Sequence, residues 1–462
     1  MGKPILVGLA MHAVLFLAPE IAEAGENHRG VQPLLPLPII DADYYDGGAP
    51  EAAKIALGKQ LFFDKVLSGN LNISCASCHH SFTGTGDGLS LPVGEGGRGL
   101  GVTRDTGVGA HAVHERVPRN APALFNLGAM EFTHLFHDGR VQPDPTMPNG
   151  IQSPAGMGLP AGLDNPLAVQ AMFPVTSATE MAGQAGENPI ADAAAAGNLA
   201  GPGGVWEQLA ERLRGIDGYV TQFITVFDDV HSAGDIRFTH AANAIAAFEA
   251  ANWRADNSPF DRYLRGERRA MSGSARAGMR IFYSPRKGSC ASCHSGKFQT
   301  DHSFRAIGVP QLGPGKGDGA NGYEDFGRER VTRNPANRYQ FRVPTLRNVA
   351  QTAPYGHSGA FNTLEAMLRH HFDTVGSLYD YDASQVVMPA RPDLDAKDYL
   401  AMSDADVLIS IARASELAAI QLSDREVRQL IDFLHALTDP AMLDMRSDVP
   451  RSLPSGLPLG EL

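Results

Sequence analysis

SCASCHH, Ser74 to His80, returns as SCASCHS, Ser289 to Ser295, and the two stretches use all four cysteines of a 462-residue chain. Cys75-Ala76-Ser77-Cys78-His79 and Cys290-Ala291-Ser292-Cys293-His294 both read C-x-x-C-H, the pattern of c-type haem attachment. Two thiols three positions apart add to the two vinyl groups of one porphyrin, and the adjacent histidine turns its imidazole onto the iron from the same turn. A single match leaves a redox dithiol or half a zinc site open. Two matches with no cysteine left over predict two covalently bound haem c groups, with His79 and His294 as iron ligands.

The N-terminus points to the compartment in which such haems are attached. Lys3 supplies a positive start, Ile5 to Leu17 an apolar run, and Ala22-Glu23-Ala24 a small-residue cleavage site. This predicts a signal peptide over residues 1–24 and a periplasmic protein. The apolar run is shorter than the roughly 20 residues that span a bilayer, and no later segment of the mature chain offers a membrane span. A net charge of −12 argues against nucleic acid, whose phosphates would be repelled.

The repeated motif implies two tandem cytochrome c-type haem domains, over residues 34–266 and 271–445. The fold class expected is mostly α, with long loops and little β-structure, because few runs alternate apolar and polar residues. Ile245, Phe248 and Ala251 recur at helical spacing between Thr239 and Ala255. SARAGMRIFY is expected to form a short helix leading into the second motif. LSDREVRQLIDFLHALTDP carries a capping box at Ser423 and Glu426, and Val427, Leu430, Ile431, Leu434 and Leu437 make its apolar face. The Ala/Gly-rich GQAGENPIADAAAAGNLAGPGGVW reads as a surface insertion.

Beyond the haem motifs the chain resembles the bacterial di-haem cytochrome c peroxidase superfamily, which includes the MauG-type enzymes. The matching stretches are LGKQLFFDKVLSGNLNISCASCHH, RNAPALFN, FHDGR, FPVTSATEMAG, NSPFDRYLRG and YQFRVPTLRNVAQTAPYGHSGAFNTLEAMLRHH, which cover nearly the whole mature chain. The resemblance implies a peroxidase whose N-terminal haem meets hydrogen peroxide and whose C-terminal haem supplies or stores oxidising equivalents. In relatives with a gated first haem, a histidine sixteen residues beyond the proximal one caps the iron. Here that position is Glu95, so the first haem is expected to stand open at rest and to support MauG-like high-valent chemistry. His80, His111 and His114 are nearby alternatives as a cap.

Splitting peroxide needs a group that takes a proton from one oxygen and gives it to the other. The resemblance assigns this to Glu180, with Gln170 and Pro174 completing the distal pocket. For the second iron it implies an axial residue seventeen beyond Pro354, which is His371. Met367, His370, Tyr379, Tyr381 and Met388 compete with it. It also implies a calcium ion held by Asn120, Thr352 and Pro354, oxygen donors suited to a hard cation. Where the family has a tryptophan between its haems this chain has His137, leaving Trp206 and Trp253 as its only indoles. The expected partners are hydrogen peroxide and a small electron-donor protein, a cytochrome c or a cupredoxin, or else a partner protein that is oxidised. A non-enzymatic electron carrier with both irons capped is the alternative.

Overall fold

The structure, a computed structural model, describes Met1, Gly2 and residues 35–459 apart from Pro148, so the segment read as a signal peptide lies, beyond its first two residues, outside the described residues. The first part of the chain contributes α1 (Ala52–Phe63), α2 (Pro166–Ala171), α3 (Pro189–Ala195), α4 (Val205–Arg214), α5 (Asp217–Val226) and α6 (Phe238–Asn252). Next come α7 (Pro259–Leu264), α8 (Gly273–Phe282), α9 (Glu329–Thr332), α10 (Leu364–Phe372) and α11 (Thr374–Tyr379). The last are α12 (Pro392–Asp398), α13 (Leu400–Ser403), α14 (Ala405–Ala414) and α15 (Asp424–His435). Strand structure is confined, among the described residues, to two antiparallel ladders. In these β1 (Gln142–Pro143) pairs with β2 (Ile151–Gln152), and β3 (Phe304–Arg305) pairs with β4 (Phe341–Arg342). The mostly helical, loop-rich fold expected from the sequence is the one observed.

Two helix crossings organise it, and they are built alike. α1 crosses α6 at Gly58, where a Cβ atom would stand 1.8 Å from the Ala244 carbonyl oxygen. α8 crosses α15 at Gly278, where a Cβ atom would stand 1.8 Å from the Gln429 carbonyl oxygen. Only glycine lets backbone approach backbone this closely, so each crossing is fixed by one residue. α6 is buried almost all round, and its alanines leave room for neighbours on every side. α15 is amphipathic: Ser423 and Glu426 form the expected capping box, and Val427, Leu430, Phe433 and Leu434 are buried. Ile431, assigned from the sequence to that apolar face, is only half-buried, and Phe433 takes its place.

One core gathers around α1 and α6, and it also takes in Met445 and Leu453 from the chain's end. Trp253 Nε1 donates to Asp448 at 3.1 Å and Ser455 donates to Asp64 at 2.9 Å, tying that end to the first half. A second core lies between α8 and α15. The segment read as a surface insertion contains α3. Asn188 caps it by accepting from Ala191 N at 2.9 Å, Pro189 occupies its first turn, and Ile190, Ala191 and Ala193 are buried. Composition concealed a short helix whose apolar side is mostly alanine.

Between the cores the chain exchanges two tight hairpins. Leu135 bridges Val141 around His137, and Tyr355 bridges Phe361 around His357. Asn120 N, two residues before Pro122, donates to the His357 carbonyl at 2.9 Å, and Arg342 N, two before Pro344, donates to the His137 carbonyl at 2.7 Å. Each half thus holds the other's hairpin by the equivalent bond.

Candidate functional site: two histidine-bearing turns and a nearby carboxylate

Each C-x-x-C-H stretch forms one short turn, Cys75–Ser77 and Cys290–Ser292, and in each the histidine N–H donates to the first cysteine's carbonyl at 2.9 Å. That bond closes the turn around each motif. His79 Nδ1 then meets the Thr85 carbonyl at 3.0 Å, and His294 Nδ1 meets the Gln299 carbonyl at 3.4 Å. A ring nitrogen facing a carbonyl must be the protonated one, so Nε2 of each ring carries the lone pair a metal needs. Burial pushes the pKa of His79 down, opposed by its bond to Thr85. Burial, and next to it His371, push His294 down to about 4. Both rings are neutral at pH 7, the form that ligates iron. No disulfide joins the four cysteines, and burial pushes the Cys75 and Cys290 thiols up to about 12.

The two turns differ in what stands opposite. The His371 ring faces His294 with ring centres 6.4 Å apart. A metal–imidazole bond is about 2 Å and the ring centre lies roughly 1 Å further on, so two imidazoles on one ion stand about 6 Å apart. His371 Nδ1 is bound to the Met367 carbonyl at 2.8 Å, leaving its Nε2 with a lone pair as well. The neighbouring His370 is committed elsewhere: its two nitrogens meet Ser377 Oγ at 3.0 Å and the Ile307 carbonyl at 2.8 Å. Tyr381 donates to the Ala360 carbonyl at 2.6 Å, Tyr379 is exposed, and Met367 and Met388 pack into a small apolar cluster with Leu91 and Val309.

Among the described residues no ring is paired with His79 as His371 is with His294. Glu180 lies within electrostatic reach of the first motif instead. It sits in a wide π-type turn, Ala178–Ala182, in which the N–H groups of Glu180, Met181 and Ala182 all converge on the Ser177 carbonyl. Burial pushes the Glu180 carboxyl up, opposed first by Arg140, then by Lys316, a hydrogen bond with Ser177, and Arg119. Burial, Glu249 and then Glu180 raise the Cys75 thiol, which brings Glu180 within electrostatic reach of the first motif. Gln170 is half-buried near the end of α2, and Pro174 opens the short turn that leads from α2 to the Glu180 turn.

Glu95 is buried and structural. Its Oε1 accepts from Asn70 at 2.9 Å and Asn72 at 2.6 Å, and its N–H donates to the Thr179 carbonyl at 3.1 Å. Gly94 beside it has no room for a Cβ atom, which would stand 1.9 Å from the Thr179 oxygen. The loop that bears a capping histidine in gated relatives is here clamped under the Glu180 turn. His80 is buried between Phe63 and Phe82 and its Nδ1 accepts from Phe82 N at 3.1 Å, while His111 and His114 are exposed.

Asn120 is buried, with its amide donating to the Leu89 carbonyl at 2.9 Å and the Ser90 carbonyl at 3.3 Å. Its backbone bond to His357 brings it beside the segment holding Thr352 and Pro354. No group of three or more acidic, His or Cys side chains suits a metal among the described residues. Trp253 is fully buried against Phe62 and Phe248 and does not reach the surface.

A family model described as di-haem cytochrome c peroxidase matches residues 52–269. A cytochrome c551 peroxidase of Pseudomonas aeruginosa is 30% identical over 66% of this chain and 67% of its own length. The chain belongs to the di-haem cytochrome c peroxidase family. The methylamine utilization protein MauG of Methylorubrum extorquens is 28% identical over 85% of this chain and 80% of its own. The solved structure of a MauG-like protein associated with microbial copper homeostasis shares the fold, with a TM-score of 0.57 at 22% identity over 92% of this chain and 99% of that one. As a member of the family the protein is an oxidoreductase of peroxidase or MauG type carrying two haem c groups, and its free thiol pairs and lone-pair-bearing imidazoles fit them.

Sequence reasoning missed Arg140 and Lys316 as the cations acting on Glu180. Arg140 lies in the FHDGR stretch and stacks over Phe136 with its guanidinium carbon 3.7 Å from the ring centre. Lys316 comes from the Gly-rich loop of the other half, a contribution that only the folded chain reveals.

Proposed function

We propose that the protein reduces hydrogen peroxide at the haem held by Cys75, Cys78 and His79, with electrons passing through the haem held by Cys290, Cys293, His294 and His371. The observation that supports this reading is an asymmetry: His371 is paired with His294, whereas among the described residues no ring is paired with His79, near whose motif the Glu180 carboxyl acts electrostatically. A haem held by His79 alone would supply peroxide chemistry, whereas one held by both His294 and His371 would supply electron transfer.

Glu180 takes the proton from the near peroxide oxygen at its carboxylate and returns it to the departing oxygen. Arg140 and Lys316 oppose the upward push of burial on its carboxyl. Gln170 and Pro174 shape the pocket around it, and Asn120, Thr352 and Pro354 hold calcium between the halves. The haem domains extend over residues 34–266 and 271–445, and the protein works in the periplasm. There, two one-electron carriers, small cytochromes c or cupredoxins, each give up one electron while peroxide gains two electrons and two protons and leaves as two waters.

Stopped-flow spectroscopy tests this reading on the diferric holoprotein mixed with one equivalent of peroxide and no reductant. A rapid spectral change is expected. A protein inert until the second haem is reduced would overturn the open first site, and one inert even then would return the chain to the class of electron carriers.

A further inference from the structure

Between Asp261 and Gly288 stand eight basic residues and two acidic ones, in a chain whose net charge is −12. The fold gathers part of this run with α15. Arg280 of α8 and Arg425 and Arg428 of α15 are all exposed and line one open groove of about 650 Å³, whose sides include Ala277, Ile431 and Asp432. Among the described residues these three arginines make no ion pair, and neither do the exposed Arg268, Arg269 and Arg286. Glu426, next to Arg425 in α15, binds Lys287 at 2.5 Å, joining α15 to the turn that leads into Cys290. That second motif is the more open of the two. Ser292 is exposed and Ser289 and Ala291 are half-buried, whereas Ser74, Ala76 and Ser77 of the first are buried.

We infer that this arginine-lined groove is the docking surface for an acidic electron-carrier protein, which delivers its electron at the second haem. The inference rests on the peroxidase reading above and adds the chemistry of the partner. The acidic average of the chain suggests a basic partner, but the face beside the second motif carries the opposite charge. Unpaired guanidinium groups at an exposed face hold a long-range field that steers an oppositely charged protein and sets its orientation. Arginine's planar fork also suits carboxylates. The groove is concave and partly apolar at Ala277 and Ile431, which fits a protruding protein surface better than a flat anionic bilayer.

The test uses the holoprotein, a reduced acidic cupredoxin and a reduced basic cytochrome c, with electron transfer into the diferric protein followed by stopped flow without peroxide. At about 10 mM ionic strength, where the Debye length is about 30 Å, the acidic carrier should react at least tenfold faster than the basic one. At about 150 mM, with a Debye length of about 8 Å, the gap should largely close. The triple variant Arg280→Glu, Arg425→Glu, Arg428→Glu should slow the acidic carrier at least tenfold at low salt, and the triple Arg→Lys variant should restore most of the rate.

Equal or faster reaction of the basic carrier would overturn the inference, as would an acidic carrier indifferent to the triple reversal. So would sedimentation showing a dimer that the reversal dissociates, or binding to phosphatidylglycerol vesicles by a protein without carrier preference. Peroxide consumption driven by neutral hydroquinone separates the two claims. Its absence in the parent protein refutes the peroxidase reading and leaves docking to be judged by carrier rates. Its presence, unchanged by the reversal, places any loss of carrier rate at the groove.

Discussion

Glu180→Gln is the substitution that bears most directly on the chemistry. The amide keeps the size and planarity of the carboxyl group and can still bond Ser177, so the turn Ala178–Ala182 should persist. What it loses is a group able to take and return a proton. Positioned acid–base catalysis contributes about 10²- to 10⁴-fold, which at 1.36 kcal/mol per tenfold is about 3 to 5 kcal/mol of barrier. The reaction of the diferric holoprotein with peroxide should slow by that factor in stopped flow. The pH profile supplies an independent check. Burial raises the Glu180 pKa above the ordinary 4.5, and the group works as a base from its ionised form. The parent rate should therefore fall as pH drops through that raised value, at a pH where an exposed glutamate would still be ionised. The variant's amide cannot titrate, so this limb should vanish. Arg140→Met, which removes the leading charge that holds the pKa down, should move the limb further up. A Glu180→Gln protein within about threefold of the parent, or one that keeps the acid limb, would refute the role given to Glu180.

His371→Met should raise the reduction potential of the second haem, because a thioether favours the reduced iron more than imidazole does; potentiometric titration followed optically reads this, and an unchanged potential would remove His371 from the iron. Gly278→Ala forces a methyl group to within 1.8 Å of the Gln429 oxygen, so α8 and α15 must separate. Overpacking of this kind costs about 1–3 kcal/mol, seen as a fall in melting temperature by far-UV circular dichroism, and Gly58→Ala should do the same to the first crossing. Arg119→Met strips the shared cation from buried Asp138 and Asp325, bonded to it at 2.7 and 2.6 Å. Breaking a buried ion group costs about 3–5 kcal/mol. Arg119 holds both carboxyls below their usual 3.8, Asp325 at about 2. Their contribution is complete above pH 3.8 and fades as pH falls through the folded values. In the variant burial is left to raise both carboxyls, so its deficit in urea unfolding should be large at pH 7 and smaller near pH 4, where the unpaired carboxyls take up protons.

The haem motifs, the α15 capping box and the mostly helical class were legible because each depends on residues within one or two turns of each other. Ser423 and Glu426 need no tertiary information to cap a helix, and C-x-x-C-H defines its own turn. Residues whose role is made by distant partners were not legible. Glu95 was identified only as a missing histidine, yet its contacts with Asn70, Asn72 and Thr179 make it a clamp beneath the Glu180 turn. Lys316 stood in a Gly-rich loop with no local sign that it would face a carboxylate from the other half. The helix at Pro189–Ala195 was hidden because alanine buries without announcing an apolar face, and only its Asn-Pro start marked it. Neither glycine at the helix crossings could be told apart by sequence from the chain's other 48.

The exchanged hairpins tie the two sites into one structural unit. The segment before Pro122 leads to the first half's contact with His79, and its Asn120 N–H is bonded to the second half's His357. The segment before Pro344 lies against His294, and its Arg342 N–H is bonded to the first half's His137. Arg119, Asp138 and Asp325 close the same interface with buried charge. Neither half can move its histidine-facing backbone without straining a bond made by the other, so the relative placement of the two sites is set by directional bonds and not by apolar contact alone. His137 fits this role as a small polar side chain. Its Nε2 meets the Asn120 carbonyl at 3.0 Å, and burial, reinforced by the Arg119 charge, pushes it down to about 4, so it stays neutral at pH 7. His357 lies flat on Phe341, ring centres 3.7 Å apart, in the same interface. At the position where relatives carry an indole, this chain has built a neutral imidazole into the hydrogen-bonded hinge between its halves.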